Sequence, residues 1–189
     1  MLFVLLIIVL GIAGIAALAS CLNLVEWMPW NVSNPSVIGD RLVVDGLVQH
    51  PLNLTMEELM AMPRTTVSAT LYCVDGPDYP LASGNWTGVQ LAIILEQAHV
   101  SPSAMKVAFH ANDGFSTDLT VEAAMREDVI LAYERDGQPL TEKLRLVVPG
   151  HWGYKWISNP SHIELVDHDF LGSWESRGYP DDAEISPGP

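Results

Sequence analysis

Hydrophobic and polar positions divide the chain into three regimes. Residues 1–25, MLFVLLIIVLGIAGIAALASCLNLV, are apolar almost throughout and carry no charged side chain. About 20 such residues span a bilayer core, so this run is expected to be a transmembrane anchor or a signal segment. No Lys or Arg precedes it and no twin arginine is present, which favours an uncleaved anchor over an export signal. Cys21, in LASC, also fits a bacterial lipoprotein box. Residues 26–40, EWMPWNVSNPSVIGD, set Pro29 and Pro35 among Asn and Ser and read as a linker.

Residues 41–189 carry the short, regular patterns of a folded domain. RLVVDGLVQ predicts a strand ended by the Asp45-Gly46 turn signal. In LTMEELMAMP, Thr55 followed by Glu58 makes a capping box, and Pro63 stops the short helix that follows. TTVSATLYC alternates and is β-branched, predicting a strand over 65–73 that ends at Cys73. The Gly/Pro/Asp/Asn-rich stretch from Val74 to Asn85 reads as a loop. TGVQLAIILEQAH then shows helical spacing of apolar residues. MKVAFH and VILAYE read as strands with a short helix at VEAAMRE between them. LRLVV and HIELV read as two more strands, separated by PGHWGYKWISNPS. This mixed order predicts an α+β fold of mixed sheets with short helices.

Charge narrows the partners. With 23 acidic and 9 basic residues the net charge is −14, a field that repels phosphate backbones and argues against nucleic acid. It also repels small oxyanions unless a local basic pocket overrides it. Two cysteines cannot form a disulfide scaffold, and no CxxC or Cys/His zinc spacing occurs.

Three segments carry candidate chemistry. Cys73 lies where a strand gives way to a loop, a position where sites are commonly built. A buried small hydrophobe is the plainest role for a single cysteine. No nearby His or Lys is placed to activate it as a nucleophile, and Asp75 and Asp78 disfavour its thiolate; a soft metal makes better use of such a thiol. VVPGHWGYKWISN offers a bent turn with Trp152, Tyr154 and Trp156, and with Lys155 and Arg145 as anion partners. GSWESRGYPDD gathers Trp174, Arg177 and Tyr179, a hydroxyl able to pass a proton. Core packing accounts equally well for the aromatics of both segments.

Taken in order, these segments resemble the molybdopterin-binding domain of the sulfite oxidase family, from about Val44 to Tyr179. The likeness is carried by HPLNLTMEELMAMPRTTVSATLYC, NWTGVQLAIILEQA, ILAYERDGQPL, LRLVVPGHWGYKWIS and WESRGY. It implies a molybdopterin-dependent oxidoreductase performing two-electron oxo-transfer with Mo-molybdopterin. Cys73 would be the thiolate ligand of the metal, and Tyr179 the tyrosine near its oxo group. Asp113, Arg145, Lys155, Trp156, Ile157 and Ser158 would contact the cofactor. The sequence departs from the pattern in three places. VDGPDYP lacks the basic residues that hold sulfite, which argues against sulfite as substrate. The histidine usual before LRLVVPG is missing, and Ser158 replaces a common lysine. A cofactor-free relative acting as a binding or assembly module is the alternative. No haem or flavin motif is present, so a separate one-electron redox partner, membrane-bound like the chain itself, is expected. The anchor favours an extracytoplasmic domain, although the sequence leaves its orientation open.

Overall fold

In the computed structural model, residues 41–185 are described, and all belong to one compact unit. The anchor and linker read over 1–40, with Cys21, lie outside the described residues. Among those described, no helix is long and apolar enough to cross a membrane.

Among the described residues, ten strands form two five-stranded sheets. The first runs β2 (Leu52–Thr55), β1 (Arg41–Gly46), β10 (Pro160–Val166), β5 (Lys106–Ala111), β6 (Ser116–Thr120). β1 and β10 pair in parallel while the other neighbours are antiparallel. The second runs β3 (Arg64–Cys73), β4 (Gly76–Gln90), β7 (Ile130–Arg135), β8 (Gln138–Pro139), with β9 (Arg145–Val147) also on β7. Among the described residues the α-helices are short: α1 (Met56–Ala61), α2 (Leu91–Ala98) and α3 (Val121–Ala124). The mixed-sheet α+β class expected from the pattern is the one observed.

Strand alternation fills the core. Leu42 and Val44 of β1, Val107 and Phe109 of β5, and Ile163 and Leu165 of β10 are buried, as are Leu91, Ile94, Leu95 and Ala98 of α2. α1 begins at the expected capping box: Thr55 Oγ1 accepts from the Glu58 amide at 3.1 Å, and Glu58 accepts from the Thr55 amide at 2.7 Å.

Two expectations are corrected. The stretch read as a loop over 74–85 turns back after Cys73 and becomes the outer half of β4. Up to Asn85 this strand pairs with β3 alone, since β7 joins only from Trp86 onward. The free edge tolerates Pro80, which has no amide hydrogen to place. The helix read from TGVQ starts later, at Leu91, because Thr87–Val89 are held between β3 and β7 and Gln90 still pairs with β7. There a Cβ on Gly88 would lie 2.0 Å from the Leu131 carbonyl oxygen, so only glycine lets β7 approach.

Candidate active site

The end of β3 is irregular, with register shifts between Leu71 and Tyr72 and again between Tyr72 and Cys73. Such bulges re-aim the side chains that follow. Cys73, half-buried and unbonded, lines a cavity of about 330 Å³. Val74 and Asp75 of the hairpin tip and Leu81 of β4 stand beside it. Asp113 and Phe115, from the β5–β6 turn, form another side. Opposite are Arg145 of β9 and the turn from Gly153 to Ser158, with Trp174 from the C-terminal segment.

This turn is seated closely on the β3 end: a Cβ on Gly153 would lie 2.7 Å from the Tyr72 carbonyl oxygen. Trp156 is buried, donates its indole N–H to the His151 carbonyl at 3.2 Å and packs edge-on against Trp86. Ile157 is buried behind it, its carbonyl accepting from the Leu146 amide at 3.0 Å. Arg145 has all three guanidinium nitrogens held, two of them by the turn. It donates to Glu142 at 2.7 Å, to the Trp156 carbonyl at 3.1 Å and to Ser158 Oγ. Burial works against the charged form of Glu142, but Arg145 outweighs it and holds that carboxyl below its usual range. Asp113 accepts from the Phe115 amide at 2.9 Å, fixing its own turn.

Tyr179 approaches from the C-terminal segment and donates to Asp75 Oδ1 at 3.2 Å. Partial desolvation, then Asp75, push its ionisation above the usual value; it stays a proton donor at neutral pH. Its ring packs edge-on against Trp174 and Tyr154. Burial, then the neighbouring carboxylates, push the Tyr154 hydroxyl up to about 12; it donates to the Pro180 carbonyl at 2.6 Å.

Lys155 points elsewhere. Its ammonium, 1% exposed, meets Glu175 at 2.8 Å, Asp118 at 3.2 Å and Asp181 at 3.4 Å. Lys106 joins the same carboxylates from β5, at 3.0 Å from Asp118 and 2.7 Å from Asp181. Desolvation opposes the Lys106 charge, but Asp169, Asp181 and Asp118 prevail and raise its pKa. Thr117 donates to Glu175 at 2.7 Å. Sequence reasoning missed this network, which lies beside the cavity wall: its acids are scattered from Asp118 to Asp181 with no local pattern to connect them.

Of the residues singled out in the sequence, Cys73, Asp113, Arg145, Trp156, Ile157 and Ser158 all line one cavity. Tyr179 reaches it through Asp75, while the Lys155 side chain is spent on the buried carboxylates. Leu81 and Phe115 add an apolar lining that carries no polar signature in the sequence.

Residues 38–174 match the family model described as the oxidoreductase molybdopterin binding domain. The chain belongs to this family. It is a molybdopterin-dependent oxidoreductase, and the cofactor of the family is Mo-molybdopterin. Among relatives, it is 34% identical over 142 residues to an uncharacterized oxidoreductase, YuiH, from Bacillus subtilis, covering 73% of this chain and 71% of that one. It is 30% identical over 165 residues to the protein-methionine-sulfoxide reductase catalytic subunit MsrP of Gluconobacter oxydans, covering 75% of this chain but 51% of that protein. Among solved structures, the sulfane dehydrogenase SoxCD of Paracoccus pantotrophus superposes with a TM-score of 0.63 at 27% identity, over 68% of this chain and 38% of that one. The residues present fit the cofactor: a half-buried thiol suits its metal end, and Arg145 is the cation among the lining residues for its anionic end.

Proposed function

We propose that this domain performs two-electron oxygen-atom transfer on a small substrate, with Cys73 as the thiolate ligand of molybdenum. The cofactor, when bound, supplies the redox chemistry, and the protein supplies binding, access and polarity. Arg145 presents its fixed guanidinium to the anionic end of the cofactor. Trp156, Ile157 and Ser158 give a rigid wall for the pterin, and the Asp113 turn closes the opposite side. Lys155 acts on this wall from behind by pinning it to Asp118 and Glu175. Tyr179, kept protonated, donates a hydrogen bond or a proton at the mouth.

The observation that carries this reading is that Cys73, Arg145 and Ser158 open into one cavity although they come from β3, β9 and the turn after it. Electrons leave or enter one at a time through a separate carrier, a reading supported by the naming of one relative as a catalytic subunit. The apolar run 1–25 tethers the domain to a membrane, on its extracytoplasmic face, beside that carrier.

The test is the metal and pterin content of the full chain from a molybdenum-replete host, wild type beside Cys73→Ser. About one molybdenum per wild-type chain, lost in the variant, is the expected result. A wild-type chain that stays empty when supplied with mature cofactor would overturn the reading and leave the fold as a binding module.

A further inference from the structure

The electrostatics of the cavity mouth carry an inference about what enters it. Arg145 is the cation among the described lining residues, and its Nε is already paired with Glu142 at 2.7 Å. Two carboxylates, Asp75 and Asp113, line the same cavity, and no lysine or second arginine lines it to balance them. Arg177 lies outside the lining, its guanidinium 5.2 Å from the centre of the Trp174 ring. Asp75 is exposed at the hairpin tip, two residues beyond the thiol, and is oriented by the Tyr179 hydroxyl at 3.2 Å. An oxyanion approaching Cys73 therefore meets an oriented carboxylate that forms no ion pair among the described residues, with Arg177 as a counter-charge beside Tyr179. The net charge of −14 adds a long-range field of the same sign.

We propose that Asp75 is a specificity-determining residue: with Asp113 it keeps the mouth negative, turns away oxyanions, and admits uncharged or cationic oxo-compounds. The proposal deepens the oxo-transfer reading and rests on it for the word substrate. The field itself is a property of these side chains.

The test uses the cofactor-free full chain and compares alkylation of Cys73 by neutral iodoacetamide and anionic iodoacetate. The ratio of the two rates cancels the thiolate fraction and reads the local charge. Wild type is expected to disfavour iodoacetate more strongly than a free cysteine does. Asp75→Asn should lower the ratio roughly fivefold, as expected for removing one charge several ångströms away in a half-exposed site. Asp113→Asn should lower it less, and Glu96→Gln on the exposed face of α2, which changes net charge equally, should leave it unmoved. A ratio in Asp75→Asn equal to that of Glu96→Gln overturns the proposal. If Cys73 resists both reagents, titration with sulfate and with dimethyl sulfoxide, followed through the indole N–H signals of Trp156 and Trp174, decides instead. Sulfate perturbing those signals at concentrations similar to the sulfoxide overturns it, and signals moved by the sulfoxide alone support it. A chain without molybdenum but with a charge-dependent ratio would sink the proposed function and not the field; molybdenum with a flat ratio would do the reverse.

Discussion

The Tyr179 hydroxyl and the Asp75 carboxylate meet at 3.2 Å across 104 residues of chain, joining the C-terminal segment to the hairpin tip that follows Cys73. Because the pair sits at the surface end of the cavity, its importance is to chemistry rather than to folding. Tyr179→Phe should leave the melting temperature and the molybdenum content unchanged. Reoxidation of the reduced protein by an uncharged oxo-compound should slow by about a hundredfold, the usual scale for losing a positioned proton donor. An unchanged rate in stopped-flow absorbance would remove Tyr179 from the reaction.

Lys155 supports the cavity from behind. Lys155→Met takes the ammonium from Glu175 and leaves Asp118 to Lys106, in a site that water scarcely reaches. The expected loss is about 3–5 kcal/mol in urea unfolding, the scale for breaking a buried ion pair from one side. A loss under about 1 kcal/mol, typical of exposed pairs, would mean the network is solvated.

Gly153 and Gly150 make a contrasting pair. A methyl on Gly153 collides with the Tyr72 carbonyl, whereas one on Gly150 meets open space but sits at φ +81°. Gly153→Ala should push the turn off the β3 end, costing about 1–3 kcal/mol and most of the bound cofactor. Gly150→Ala should cost about 1–2 kcal/mol through backbone strain alone and keep the cofactor. Thermal melts alongside metal analysis separate the two.

Acid should weaken the fold through two histidines. Burial lowers the pKa of both His151 and His110 below the ordinary 6.5, with Arg126 and Lys155 adding to the effect at His151 and His162 at His110. The folded state therefore binds fewer protons than the unfolded chain, so their contribution is complete above 6.5 and is lost as pH falls toward their lowered values. His151→Gln and His110→Gln should each flatten the acid limb of a stability–pH curve. A limb of unaltered slope in both would place the acid sensitivity in carboxylates.

Local chemistry was the legible part of the sequence. The Thr55–Glu58 box announces α1 because both hydrogen bonds lie within four residues, and the alternation of TTVSATLYC announces β3 for the same reason. The outer half of β4 was hidden because its proline and glycines are tolerated only by a free edge, which is a fact of sheet order. The cavity residues came into view through family likeness, since nothing local ties Cys73 to Ser158. The sequence groups Lys155 with Trp156, Ile157 and Ser158 as expected cofactor contacts because all four share one turn. Whether its side chain faces the cavity or the opposite way depends on Asp118 and Glu175, far off in the chain. The partnership of Asp75 with Tyr179 had no signature at all.

Lys155 and Arg145 give the wall opposite Cys73 a frame made of protein alone: one fastens it to β6 and the C-terminal segment, the other to β9. Every tie in that frame is a hydrogen bond or ion pair between groups of this chain.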